Sequence, residues 1–242
     1  GFFTTTDRKL YVKARSTGDN SCTNYSNAYY ITLKKPEITV STSSVNLKTC
    51  SGYNGNSESF DVSGSYIKNS DGITINAPVN FEISQDNSTF SSSINLLPTD
   101  GTVSTTTIYT RMTSSASGTP SGNITCTSTS ADAESISLSG TITSAPVITS
   151  GDFTGSSTCG VSEYTVILAN SLSGSWAENI TGSTFFVPSQ GGQTFTSFPA
   201  GFNNDSILTW TENQGDCSGK TDAVSIRFNQ PVVSGSMDTD SW

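Results

Sequence analysis

The sequence predicts an all-β protein made of β-sandwich domains set in tandem. Three observations lead there: a strand-favouring composition, apolar residues that alternate with polar ones, and a hairpin pattern that occurs twice. Of 242 residues, 80 are Ser or Thr, and Val, Ile, Phe and Tyr outweigh Leu and Ala. That balance suits pleated, half-buried strands rather than helices. The length suffices for two domains of about 100 residues each.

Period-two alternation marks the strands in order: Leu10/Val12/Ala14, Phe60/Val62, Ile73/Ile75, Ile124/Cys126, Ile136/Leu138, Tyr164/Val166/Leu168, Leu208/Trp210 and Val224/Ile226/Phe228. Each places its apolar members on one face of a strand. Turn clusters separate them at residues 51–56, 69–72, 99–101, 117–123 and 213–216, all rich in Gly, Asn, Asp and Ser. Pro36, Pro146 and Pro231 each follow one strand-like run and precede another. Proline cannot extend a ladder, so these three set expected boundaries. The expected domains are 1–35, 36–144 and 145–231, with 232–242 as a linker or the start of a further repeat.

Residues Cys22 to Pro36 align without a gap on Cys217 to Pro231, with Cys, Ala, Ile and Pro at equal offsets. A strand and a Gly-Asp turn precede each cysteine. Residues 1–35 are therefore expected to be the C-terminal hairpin of a truncated upstream sandwich of the third domain's type. Chance alignment of two Ser/Thr-rich hairpins is the competing account.

Five cysteines sort by domain into Cys22 alone, Cys50 with Cys126, and Cys159 with Cys217. Cys126 shares a strand face with Ile124 and is expected to bridge to Cys50. Cys159 and Cys217 would pin an early strand to the last hairpin, and Cys22 is left unpaired, its partner expected upstream. Each bridge would contribute about 4 kcal/mol in the chain-entropy account and implies an oxidising, extracellular setting. Buried free thiols are the alternative. Metal ligation is disfavoured, because no Cys-x-x-Cys spacing and no histidine occur.

A net charge of −9 gives no basic excess to neutralise phosphates, so a nucleic-acid partner is not expected. No apolar run approaches the ~20 residues of a spanning helix, so no membrane insertion is expected. Lys9, Tyr11, Lys13 and Arg15 share one strand face, which suits the guarding of a strand edge. The pairs Glu58/Asp61, Glu82/Asp86 and Asp238/Asp240 lie close in sequence, but they read as solvated faces and turns rather than acid–base pairs. No cofactor, metal or catalysis is expected. Oxygen-rich turns such as Asn69 with Asp71, Asp100 before Gly101, or Asp216 with Asp222 are candidates for calcium, but no EF-type loop supports it and such residues also form plain turns. Tyr29, Tyr30, Tyr53, Tyr66, Trp176, Phe185 and Phe186 would offer flat faces to a polysaccharide if exposed.

Residues 62–67 (Val-Ser-Gly-Ser-Tyr-Ile), 73–84, 101–111, 121–125 and 138–142 (Leu-Ser-Gly-Thr-Ile), in that order, resemble an immunoglobulin-like repeat common in secreted proteins of the Bacteroidetes. Residues 145–231, with Gly174-Ser-Trp and the run from Leu208 to Cys217, resemble a second repeat type of giant flavobacterial gliding and adhesion proteins. The resemblance implies tandem immunoglobulin-like sandwiches, export by the type IX secretion system to the bacterial cell surface, and neighbouring repeats of the same protein as partners. It also implies O-glycosylation at Ser206, within Asp205-Ser206-Ile207. The five Asn-x-Ser/Thr sites at Asn24, Asn87, Asn123, Asn179 and Asn204 would be acceptors chiefly in a eukaryotic secretory route. The function expected is a structural stalk or fibre segment of an adhesin. A carbohydrate-binding accessory module of a secreted enzyme and a self-polymerising filament subunit are the alternatives.

Overall fold

The computed structural model describes residues 8–12, 29–129, 131–150, 158–159, 163–171, 173–178, 192–196 and 205–229. Eighteen strands run through them. These are β1 (Arg8–Val12), β2 (Tyr29–Leu33), β3 (Glu37–Val40), β4 (Ser44–Cys50), β5 (Glu58–Ser65), β6 (Ile73–Asn76), β7 (Phe81–Ser84), β8 (Ser93–Leu96) and β9 (Thr102–Met112). They continue with β10 (Ser121–Thr127), β11 (Glu134–Thr143), β12 (Val147–Ser150), β13 (Thr158–Cys159), β14 (Glu163–Ala169), β15 (Gly174–Glu178), β16 (Gly192–Thr196), β17 (Asp205–Glu212) and β18 (Thr221–Asn229). The eight alternating runs of the sequence fall in β1, β5, β6, β10, β11, β14, β17 and β18, apart from Ala14, which lies outside the described residues. Pro36 and Pro146 stand one residue before β3 and β12. Pro231 lies outside the described residues.

The chain divides into two compact units, Gly1–Lys48 with Tyr53–Ile142, and Thr49–Gly52 with Thr143–Trp242. In the first, β1 and β2 form an antiparallel pair with Leu10 opposite Ile31. The rest of that unit is a two-sheet sandwich, with orders β4-β11-β10-β6-β8 and β3-β5-β9-β7. Two sheets whose neighbours are mostly not consecutive in sequence are the crossed-over layout of an immunoglobulin-like sandwich.

The alternation exists because one face of each strand meets the other sheet and the opposite face meets water. β10 buries Ile124 and Cys126 and exposes Asn123, Thr125 and Thr127. β5 buries Phe60 and Val62, β6 Ile73 and Ile75, β9 Ile108 and Met112, and β11 Ile136 and Leu138, all in one cluster. Each such side chain contributes roughly 1.5–3 kcal/mol by leaving water. At Gly64, a Cβ would lie 2.8 Å from Ile73 Cδ1 and 3.2 Å from the Glu37 carbonyl oxygen. The β5–β9 register shifts between Val62 and Gly64, a bulge at the point of closest packing.

The second unit has sheets ordered β12-β14-β16 and β13-β18-β17-β15. Trp176 of β15 and Trp210 of β17 are register partners. Their rings meet edge to face, with centroids 5.3 Å apart. Gly174 makes room for them, since a Cβ there would come within 2.5 Å of the Trp210 ring and 2.1 Å of the Thr211 carbonyl oxygen.

The disulfide differs from the expected pairs. Cys50 is bonded to Cys217, with a Cα separation of 4.8 Å, and Cys126 is a buried free thiol. The expected Cys50–Cys126 bridge fails on strand order. Cys50 ends β4 and Cys126 lies in β10, and β11 runs between those two strands. Strands two places apart in a sheet are roughly 9–10 Å apart, beyond the reach of a disulfide. Thr49–Gly52 clusters with the second unit, where Ser51 N–H donates to the Thr143 carbonyl oxygen at 2.8 Å. Cys50 is thereby placed beside Cys217. The expected Cys159–Cys217 bridge is excluded by the same bond. Cys159 is the second residue of β13, opposite Asn229 of β18, and Cys22 lies outside the described residues.

Leu138, 1% exposed, and Leu97, 69% exposed, give a matched test of the core. Leu138→Ala should cost about 2–5 kcal/mol in urea unfolding, and Leu97→Ala less than about 0.5 kcal/mol. Equal costs would contradict the two-sheet core.

Candidate ligand-binding cleft

The sandwich of the first unit carries a polar cleft of ≈ 430 Å³. Its walls come from the link between β2 and β3 with the start of β3 (Lys34 to Ile38), the turn after β5 (Tyr66), and Asp132 before β11 with Glu134 at its start. Lys35 and Asp132 form an ion pair across it. A volume of that size falls within the range of small-molecule sites.

Tyr66 is the aromatic residue here, and its exposure follows from a break in parity. Val62 and Gly64 face inward along β5, so residue 66 would continue inward in a regular strand. Tyr66 instead adopts φ 58°, in the left-handed region. That conformation lets Ile67 take the buried position, 1% exposed, and leaves Tyr66 54% exposed. The Ile67 N–H donates to the Gly101 carbonyl oxygen at 2.9 Å, fixing the turn. A left-handed tyrosine carries a backbone cost that the packing of Ile67 offsets.

The other aromatic candidates are placed differently. Tyr53 is 37% exposed. Trp176 packs on Trp210 and is half-buried. Tyr29 and Tyr30 are paired residues of β2, and Phe185 and Phe186 lie outside the described residues. Lys9 and Tyr11 fall in β1, whereas Lys13 and Arg15 lie outside. Ser206 is a paired residue of β17, opposite Ile226, two positions before buried Leu208.

Glu58 and Asp100 are exposed, Asp100 at φ 49° in a turn, and most other acidic candidates bond within the fold. Asp61 accepts a hydrogen bond from Thr107 Oγ1 at 2.8 Å. Glu82 accepts from Arg111 Nε at 2.7 Å, and the guanidinium lies 3.7 Å from the centre of the Phe90 ring. Asn69 Oδ1 accepts from the Gly101 N–H at 2.8 Å, and Asp71 accepts from Ser70 and Thr129. Asp216 accepts from Thr143 Oγ1 at 2.9 Å, and Asp222 from the Ile148 N–H at 2.6 Å. Asp238 and Asp240 lie outside the described residues. Among the described residues, no group of three or more His, Cys, Asp or Glu is placed to hold a metal ion.

Two features escaped the sequence reading. Glu212 is 1% exposed, and its carboxylate accepts from Ser171 Oγ and the Ser173 N–H, both at 2.8 Å, tying the approach to β15 to the end of β17. The signal was present, since Leu208, Trp210 and Glu212 share one parity. Glu82 and Arg111 are direct register partners of β7 and β9, which the sequence alone cannot pair. The Cys126 thiol is pushed up to about 11 by burial, with the Glu134 charge adding to it. It is therefore neutral and unreactive at neutral pH.

Asp86 accepts from the N–H groups of Thr89 at 2.7 Å and Ser88 at 2.8 Å, and from Ser84 Oγ at 2.8 Å. These bonds, the Thr89 one foremost, hold its carboxyl well below the ordinary range. A depressed folded-state value contributes stability above about pH 4 that is lost as pH falls towards it. Asp86→Ala should therefore lower the melting temperature at pH 6 and flatten its fall between pH 4 and 2. An unchanged acid slope would contradict the assignment.

No protein-family model matches the chain, and no curated protein does. Its likenesses are among solved structures. A three-Ig fragment of titin is 10% identical over 82% of this chain and 68% of that one, with a TM-score of 0.34. The N-terminal eight Ig domains of Down Syndrome Cell Adhesion Molecule are 12% identical over 84% of this chain and 25% of that one, at 0.40. A tri-modular GH5 endo-β-1,4-glucanase from Bacillus licheniformis is 10% identical over 80% and 38%, at 0.28. The chain's own sheet pairings give the conclusion that it is an all-β protein of immunoglobulin-like architecture.

Proposed function

We propose that this chain is a structural spacer in an exported adhesin, a stalk or fibre segment at a bacterial cell surface. The observation that carries the reading is where its polar chemistry goes. Glu82, Arg111, Asp86, Asn69, Asp216, Asp222 and Glu212 are engaged in holding strands and turns. Where a hydroxyl meets a carboxylate, as Ser171 does Glu212 and Ser84 does Asp86, the bond is part of the same strand and turn framework. Sandwiches of this kind add length, and binding is then concentrated elsewhere. The buried Cys50–Cys217 bond fits an oxidising, extracellular setting. Type IX secretion, a role in gliding motility, neighbouring repeats as partners and a glycan on Ser206 belong to the same reading, and rest on the repeat resemblance in 36–144 and 145–231.

The cleft beside Tyr66 favours a second reading, a polysaccharide-holding accessory module. An exposed aromatic face with charged groups around it is the chemistry that sugars use. A glycan array with the full chain separates the two. The spacer reading predicts no saturable signal, whereas tight binding abolished by Tyr66→Ala would overturn it.

A further inference from the structure

Pulling on the two ends of a chain loads its shortest covalent path, and here that path is cut short by a disulfide. We propose that the Cys50–Cys217 bond is a tensile shunt, which takes the chain between these cysteines out of the line of pull. The bond joins residues 167 positions apart. That is about 550–600 Å of fully extended chain at ~3.3–3.6 Å per residue.

Strand order makes the shunt effective. All strands from β5 to β17 lie between the two cysteines. The pairings β5–β9, β7–β9, β10–β11, β10–β6 and β6–β8 are therefore wholly inside the closed loop. Among the described strands of the first unit's sandwich, β3 and β4 are the ones in the tensile path, and both are edge strands, paired with β5 and β11 respectively. Peeling them leaves the sheets β11-β10-β6-β8 and β5-β9-β7 paired as before. Among the described strands of the second unit, β18 is the one in the path; it lies between β13 and β17, so its withdrawal opens that sheet, while the β15–β17 and β14–β16 pairs stay within the loop. Cys50 is 1% exposed and Cys217 3%, so a dissolved thiol does not reach the sulfurs while these strands are in place.

The shunt depends on this bond and the strand order alone, and not on the spacer reading; a sugar-binding chain would show it equally. The test is single-molecule stretching of the full chain held at both ends, with and without dithiothreitol. Without reductant, the contour length at full extension should fall short by about 550–600 Å, and dithiothreitol acting on the stretched molecule should release that length. Cys50→Ser and Cys217→Ser should each give the long contour without reductant. Contour length does not require a folded variant, so the substitutions remain informative if they destabilise the fold. Full extension of the native chain without reductant would overturn the proposal.

Discussion

A chain with only 33% hydrophobic residues depends on turning enough of them to the inner faces of its sheets to make a core. Strand parity does this. In the sandwich of the first unit, every second residue of β4, β5, β10 and β11 turns inward, and the facing sheets bury Phe60, Val62, Ile75, Ile108, Ile124 and Leu138 together. A slip of one residue would exchange that core for Ser and Thr. Two departures from parity around β5 are local and compensated. The bulge at Val62/Gly64 lets backbone and Ile73 approach closely, and the left-handed turn at Tyr66 resets the alternation so that Ile67 enters the core.

The polar side chains follow from the same constraint. Few charges are available, and those near the sheets secure register and turns: Glu82 with Arg111 between β7 and β9, Asp86 in the turn after β7, Glu212 at the end of β17. A buried carboxylate such as Glu212 is tolerated because backbone and hydroxyl donors surround it. Groups so engaged are poorly placed for chemistry on a ligand. The cleft at Tyr66 is the exception in kind, an exposed ring beside charged walls.

Strands that alternate apolar with polar residues were legible in the sequence because parity is a local property. Phe60/Val62, Ile73/Ile75 and Leu208/Trp210 announce β5, β6 and β17 without knowledge of their neighbours. Tyr66 was legible as a candidate but not as exposed, since its exposure comes from a backbone reversal. The cysteine pairing was not legible, because it depends on which strands lie side by side. Sorting Cys50 with Cys126 by domain overlooked β11, which runs between β4 and β10 in the sheet. Glu82 and Arg111, 29 residues apart, meet only through register.

The Cys50–Cys217 bond joins these levels. It arises because the end of β4 clusters with residues 143–242, and the chain-entropy account assigns a closure of this length on the order of 5 kcal/mol. Peptide mapping of the native chain without reductant, with free thiols alkylated after unfolding, tests it most directly. The expected result is a cross-linked peptide pair containing Cys50 and Cys217, with Cys126 recovered as the alkylated thiol. A Cys50–Cys126 or Cys159–Cys217 cross-link would contradict it.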